Sequence, residues 1–159
     1  MNRRDFLLRL ELGSNPEVLC VVRGAVEQLA ETIGFSDVQS RDVTRAVDEA
    51  VANIIRHAYR GKPNRPIEIT CYRVRCANHS KPRECLEIVL EDRGVAAEEE
   101  KLCGRPLDEI RPGGLGMHLI RHGVDSIEYR RVSRKNRLRL LKYLPSEATN
   151  SSRTKETRP

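Results

Sequence analysis

Between Val43 and Ile54 the apolar residues fall on a single helical face. Val43, Ala46, Val47, Ala50, Val51 and Ile54 stand at i, i+3, i+4, i+7, i+8 and i+11. Strand side chains alternate with a period of two, so no strand can bury such a set on one side. The segment therefore predicts an amphipathic helix lying on a core. Its start is marked by Ser36-Asp37-Val38-Gln39, which has the spacing of a capping box. It is expected to run to about Tyr59, where Gly61, Pro63 and Pro66 close it.

The rest of the chain divides around this helix. Phe6 to Leu12 partly alternates apolar and charged residues and predicts a strand. Asn15 suits a helix N-cap, Pro16 the first turn and Glu17 the positive end of the helix dipole. A first helix is expected from there to about Ile33, stopped by Gly34. Ile67 to Val74 and Leu86 to Leu90 predict two strands joined by a turn at Asn78 to Arg83. Residues 95 to 112 lack a clear period and read as a long loop, and a loop of that length in a small domain is usually functional. Gly113-Gly114-Leu115-Gly116 opens a short helix to about His122. Ser126 to Val132 and Arg137 to Leu144 form a hairpin, with its turn at Ser133 to Asn136. The order β-α-α-β-β-loop-α-β-β predicts an α/β (α+β) two-layer sandwich: a mixed, mainly antiparallel sheet with helices on one face. The domain is expected to span residues 1 to 144, followed by a disordered polar tail over 145 to 159.

Composition narrows the function classes. Aromatic residues are 4% of the chain, with no Trp, so the core must be aliphatic. The net charge of +6 favours acidic partners or polyphosphate ligands. Nucleic-acid surfaces interleave aromatics with basic residues, and this composition argues against such a partner. The five cysteines, Cys20, Cys71, Cys76, Cys85 and Cys103, include no C-x-x-C pair. They read as free thiols of a reducing compartment. No apolar run approaches the ~18 residues of a membrane span, and no signal-peptide core follows Met1. A soluble cytoplasmic protein is expected.

Three clusters carry chemistry. Glu49 and Asn53 stand i, i+4 on one helix face, where a carboxylate and an amide oxygen suit a hydrated Mg²⁺ and its phosphates. The carboxylate also suits proton removal from a hydroxyl. Asp92-Arg93-Gly94 ends a strand, where a carboxylate can accept from an exocyclic amino group and a glycine admits a ring closely. Gly113-Gly114-Leu115-Gly116 runs into a helix, offering backbone N–H groups and a favourable dipole to phosphate. It is neither G-x-x-x-x-G-K-[ST] nor G-x-G-x-x-G, so those nucleotide folds are not supported.

Together these clusters resemble a known family. Asp48-Glu49-Ala50-Val51-Ala52-Asn53-Ile54-Ile55-Arg56-His57-Ala58-Tyr59 is similar to the N-box of the histidine-kinase-like (GHKL) ATPases, and especially to the anti-sigma-factor serine kinases. Glu91-Asp92-Arg93-Gly94 resembles their first glycine box, and Arg111-Pro112-Gly113-Gly114-Leu115-Gly116-Met117-His118-Leu119-Ile120 their second. The resemblance covers about residues 5 to 144. It implies ATP and Mg²⁺ as cofactors, with Asn53 on Mg²⁺ and Glu49 as general base toward a substrate serine. It implies Asp92 on the adenine amino group and Gly94 in the base pocket. Gly113, Gly114, Leu115 and Gly116 would lie on the nucleotide, with Gly114 and Gly116 contacting phosphate. Residues 95 to 112 would form a lid whose Arg111 meets the γ-phosphate. The implied partners are an anti-sigma-factor antagonist as substrate, a sigma factor, and a second copy of the chain. Ala96 stands where the first box often has its last glycine, which leaves open a non-catalytic module that sequesters a regulator. His57 reads as packing beside the N-box. His118 and His122 have metal-like spacing but no evident third ligand, and the basic run from Arg130 to Lys142 reads as a solvated hairpin edge.

Overall fold

A computed structural model describes residues 4–76, 82–97 and 116–145. The elements are β1 (Arg4–Gly13), a 3₁₀ turn (Pro16–Val18), α1 (Leu19–Thr32), α2 (Asp37–Asn53) and a π-helical turn (Ile54–Ala58). After these come β2 (Pro66–Cys76), β3 (Arg83–Asp92), α3 (Gly116–Gly123), β4 (Ser126–Val132) and β5 (Lys135–Tyr143). The strands form one five-stranded sheet in the order β1-β2-β3-β5-β4, with every pairing antiparallel. The sheet has no parallel member, although the sequence allowed a mixed one. The reason is that β2-β3 and β4-β5 are hairpins and the α1–α2 excursion returns β2 antiparallel to β1.

Register explains how the core forms. Ile69 faces Leu90, which faces Leu138, and Cys71 faces Ile88, which faces Leu140. These residues therefore share one side of the sheet. They join Val22, Val26 and Ala30 of α1, Val43, Val47, Ala50 and Val51 of α2, and Ile120 of α3 in one aliphatic core. The helices thus cover one face, with α2 packed between α1 and α3. The stripe on α2 is buried as its period requires. Ser36 caps that helix reciprocally: its Oγ accepts from Gln39 N at 3.3 Å and its N donates to Gln39 Oε1 at 3.1 Å.

The opposite face is held by charge. Glu87, only 4% exposed, pairs with Arg139 and lies 2.8 Å from Arg4 Nε. Glu91 pairs with Lys135 at 2.7 Å, and Arg9 with Glu68 at 3.0 Å. Arg130, Lys135, Arg137, Arg139 and Lys142 all have carboxylate partners. Much of the basic run is therefore ion-paired across the sheet instead of standing free along a solvated edge.

Three local readings change. Asn15 stands at the N-cap position of the 3₁₀ turn but makes no side-chain cap. Its amide instead binds Asn64, accepting from Asn64 N at 3.0 Å. The helix read through to Tyr59 is α-helical only to Asn53 and then widens into the π turn. The hairpin turn is Ser133-Arg134 alone, with φ of 49° and 66°, both positive as in a type I′ turn. Asn136 consequently belongs to β5 and not to the turn. No helix among the described residues is long and apolar enough to cross a membrane. Of the turn inferred at Asn78 to Arg83, Arg83 opens β3 and residues 78 to 81 lie outside the described residues, as do Cys103 and the tail from 146.

Candidate nucleotide-binding site

Glu49 and Asn53 lie on the last turns of α2, half-buried at the edge of the apolar stripe. Arg56 donates from Nη2 to Glu49 Oε1 at 3.0 Å, which sets a positive charge against that carboxylate. Gly116 begins α3 beside the same side chain. A Cβ there would lie 2.8 Å from Glu49 Cδ, so any larger residue would push the Glu49 side chain from this position. Asn53 is the last α-helical residue before the π turn, an irregularity that often marks functional positions. Its amide has no hydrogen-bond partner among the described residues.

Asp92 ends β3 on the helix-covered face, with 5% of its surface exposed. Its Oδ1 accepts from Gly94 N at 2.7 Å and from Asn136 Nδ2 at 2.8 Å. Oδ2 accepts nothing from a described residue. Burial raises the carboxyl above its ordinary 3.8, and the hydrogen bonds from Asn136 and Gly94 N, with the charge of Arg131, oppose that rise. A buried carboxylate with one oxygen saturated and one not engaged by any described residue can accept from an external donor.

The end of the α2 segment is fastened to this strand end. Val95 N donates to Ala58 O at 2.8 Å, and the Tyr59 hydroxyl donates to Pro66 O at 2.6 Å while accepting from Arg93 N at 2.9 Å. A Cβ on Gly94 would sit 2.5 Å from the Ala58 carbonyl carbon, so this contact requires glycine. Asn136 ties the hairpin in. Its Nδ2 also donates to Val95 O at 3.0 Å, and its Oδ1 accepts from the Tyr129 hydroxyl at 2.8 Å and from Arg131. Tyr129 also accepts from Ala97 N at 3.0 Å, and Arg131 donates to Gly94 O at 3.0 Å.

The structure thus joins Gly116 to Glu49, and Gly94 to the residues that follow Asn53. Arg111, Gly113, Gly114 and Leu115 lie outside the described residues. His57 is exposed in the π turn, and His122 turns Nε2 toward Asp42 at 3.8 Å. Sequence reasoning missed Arg56, Asn136, Tyr129 and Arg131. Arg56 was detectable at seven residues from Glu49, two helical turns along the same face.

A family model for the histidine kinase-like ATPase domain matches residues 12–142. The chain belongs to that family. A serine-protein kinase RsbW of Bacillus pumilus is 27% identical over 136 residues, covering 80% of each chain. The protein of the same name from Oceanobacillus iheyensis is 26% identical over 136 residues, again 80% of each. That from Bacillus subtilis is 22% identical over 161 aligned residues, 96% of this chain and 94% of the relative. In this histidine kinase-like ATPase the matched span runs from the end of β1 to the end of β5, so it contains every residue of the site.

Proposed function

We propose that the chain is a Mg²⁺- and ATP-dependent protein-serine kinase. It phosphorylates an anti-sigma-factor antagonist and in its other state holds the sigma factor, in the cytoplasm and as a homodimer. The observation that carries the reading is the placement of Glu49 against the glycine that opens α3, on the same helix face as Asn53. Relatives named as serine-protein kinases support the same chemistry.

Each residue has a defined task in this reading. Asp92 Oδ2 accepts the adenine amino group, and Gly94 lets the ring lie close to backbone. The Asn53 amide is half-buried and unpartnered among the described residues, and its hard oxygen suits Mg²⁺. When bound, Mg²⁺ neutralises charge developing on the phosphates. Glu49 accepts the proton of the substrate serine, through the oxygen that Arg56 does not occupy. Gly113, Gly114, Leu115 and Gly116 supply backbone donors at a helix start, and Arg111 supplies a cation to the γ-phosphate.

Incubation with labelled ATP and candidate antagonist domains tests this. Phosphate is expected on an antagonist serine, and Glu49→Gln should slow transfer by about 100-fold or more with ATP affinity retained. A second reading is favoured by Arg56, which already engages Glu49, and by Ala96 in place of a glycine. It makes the chain a sequestering module. Capture of a sigma factor that Glu49→Gln leaves unchanged, with no phosphate transfer by the parent, would select it.

A further inference from the structure

Along the Arg93–Ala96 segment lies an open depression of about 680 Å³. Arg60, Lys62, Arg65, Arg93 and Arg131 line it, and among the described residues no Asp or Glu does. It shares Gly94 and Arg131 with the site described above, but Glu49, Asn53 and Asp92 are not among its lining residues.

Two features distinguish it from an ordinary solvated surface. The first is charge. Over the sheet this chain pairs its cations carefully: Arg4, Arg9, Arg130, Lys135, Arg137, Arg139 and Lys142 all meet carboxylates. Arg60, Lys62, Arg65 and Arg93 have no carboxylate partner among the described residues, where Arg131 donates to Gly94 O and Asn136 and acts on Asp92 only through its charge. Like charges held around one concavity repel, and a bound anion relieves that repulsion.

The second is rigidity. The loop carrying Arg60, Lys62 and Arg65 has positive φ at Arg60 (52°), Gly61 (72°) and Asn64 (56°). Two of these are not glycine, and such strain persists only where surroundings enforce it. The enforcement comes from the β1–α1 connection. Ser14, 1% exposed, donates to Lys62 O at 2.6 Å and accepts from Arg65 N at 3.0 Å, while Asn15 clasps Asn64. Beneath the loop the Tyr59 hydroxyl fixes Arg93 N. Burial raises the Tyr59 phenol, and the charges of Arg65 and Arg93 oppose that rise, so both guanidinium groups act on the same floor.

We infer that this depression is a second anion site, taking a small molecule with two or more closely spaced phosphates. The volume suits a compact ligand. Several forked guanidinium groups suit phosphate oxygens better than a single carboxylate. Arg131 also donates to Gly94 O, and Arg93 is the residue before it, so an occupant would bear directly on the root of the segment after Asp92.

Calorimetric titration of the full chain with sodium tripolyphosphate, without divalent ions and at low salt, tests the inference. Saturable binding is expected in the parent, and it should persist in Asn53→Ala/Arg111→Ala, which lacks two groups proposed for the nucleotide phosphates. Lys62→Glu/Arg65→Glu should weaken it about tenfold or more, as loss of charge-assisted hydrogen bonds implies, with far-ultraviolet dichroism unchanged. Lys62→Ala/Arg93→Ala should weaken it in the same direction and serves if the double reversal does not fold. Binding that survives both charge variants, or that Asn53→Ala/Arg111→Ala abolishes, would overturn the site. So would no binding at all, or an oligonucleotide that binds where tripolyphosphate does not. Because the charge variants report without ATP, their failure is distinguishable from failure of the kinase reading.

Discussion

Asp92 divides its two oxygens between the fold and a ligand. Oδ1 is held by Gly94 N and Asn136, and Oδ2 is left to accept. Asp92→Asn should weaken adenine-nucleotide binding by about 10-fold to 100-fold, the value of a hydrogen bond to a charged group. The same substitution has a pH signature. The folded pKa is raised, so the stability linked to Asp92 is full below about 3.8 and is lost as pH rises through the folded value. The stability of Asp92→Asn relative to the parent should therefore increase from about pH 4 upward. Urea melts across that range would show it, and a flat difference would refute the buried-carboxylate account. Asn136→Ala removes the donor shared by Asp92 and Val95 O and strands the Tyr129 and Arg131 donors. It should cost about 1–3 kcal/mol in urea melts and weaken nucleotide binding in parallel.

At the scale of elements, the β4–β5 turn is the clearest case of a conformation that its residues do not favour. Ser133 and Arg134 both take positive φ, where asparagine and glycine are at ease. Ser133→Asn/Arg134→Gly should raise stability by about 1 kcal/mol in the same melts. This turn also shows why part of the site was hidden. Asn136 looked like a turn residue because asparagine is common in turns, yet period-two counting back from Leu140 and Leu138 puts it on the core face. The α2 helix was legible because its stripe is buried against both layers, and its capping box reads directly from Ser36 and Gln39. The π turn was not, since Ile54 and Ile55 continue an apolar pattern whatever the local hydrogen-bond ladder.

At the scale of the molecule, the strand order places β3 at the centre, and Asp92 comes to the same end of the fold as the end of α2. Separation along the chain is large, and the closures are two glycine contacts, Gly94 on Ala58 and Gly116 on Glu49. Glu49, Asn53, Asp92, Gly94 and Gly116 stood out in the sequence through the order of their clusters and their resemblance to the family's motifs. The clamp of Tyr129, Arg131 and Asn136 and the basic depression did not, because both depend on tertiary contacts between segments far apart in sequence. The central claim is that these residues assemble one Mg²⁺-dependent ATP site. Calorimetry with ATP, with and without Mg²⁺, on the parent and Asn53→Ala tests it most directly. The account predicts ATP binding by the parent that Mg²⁺ strengthens, with that strengthening lost in Asn53→Ala. Absence of ATP binding by the parent, or Mg²⁺ dependence that survives Asn53→Ala, would contradict it.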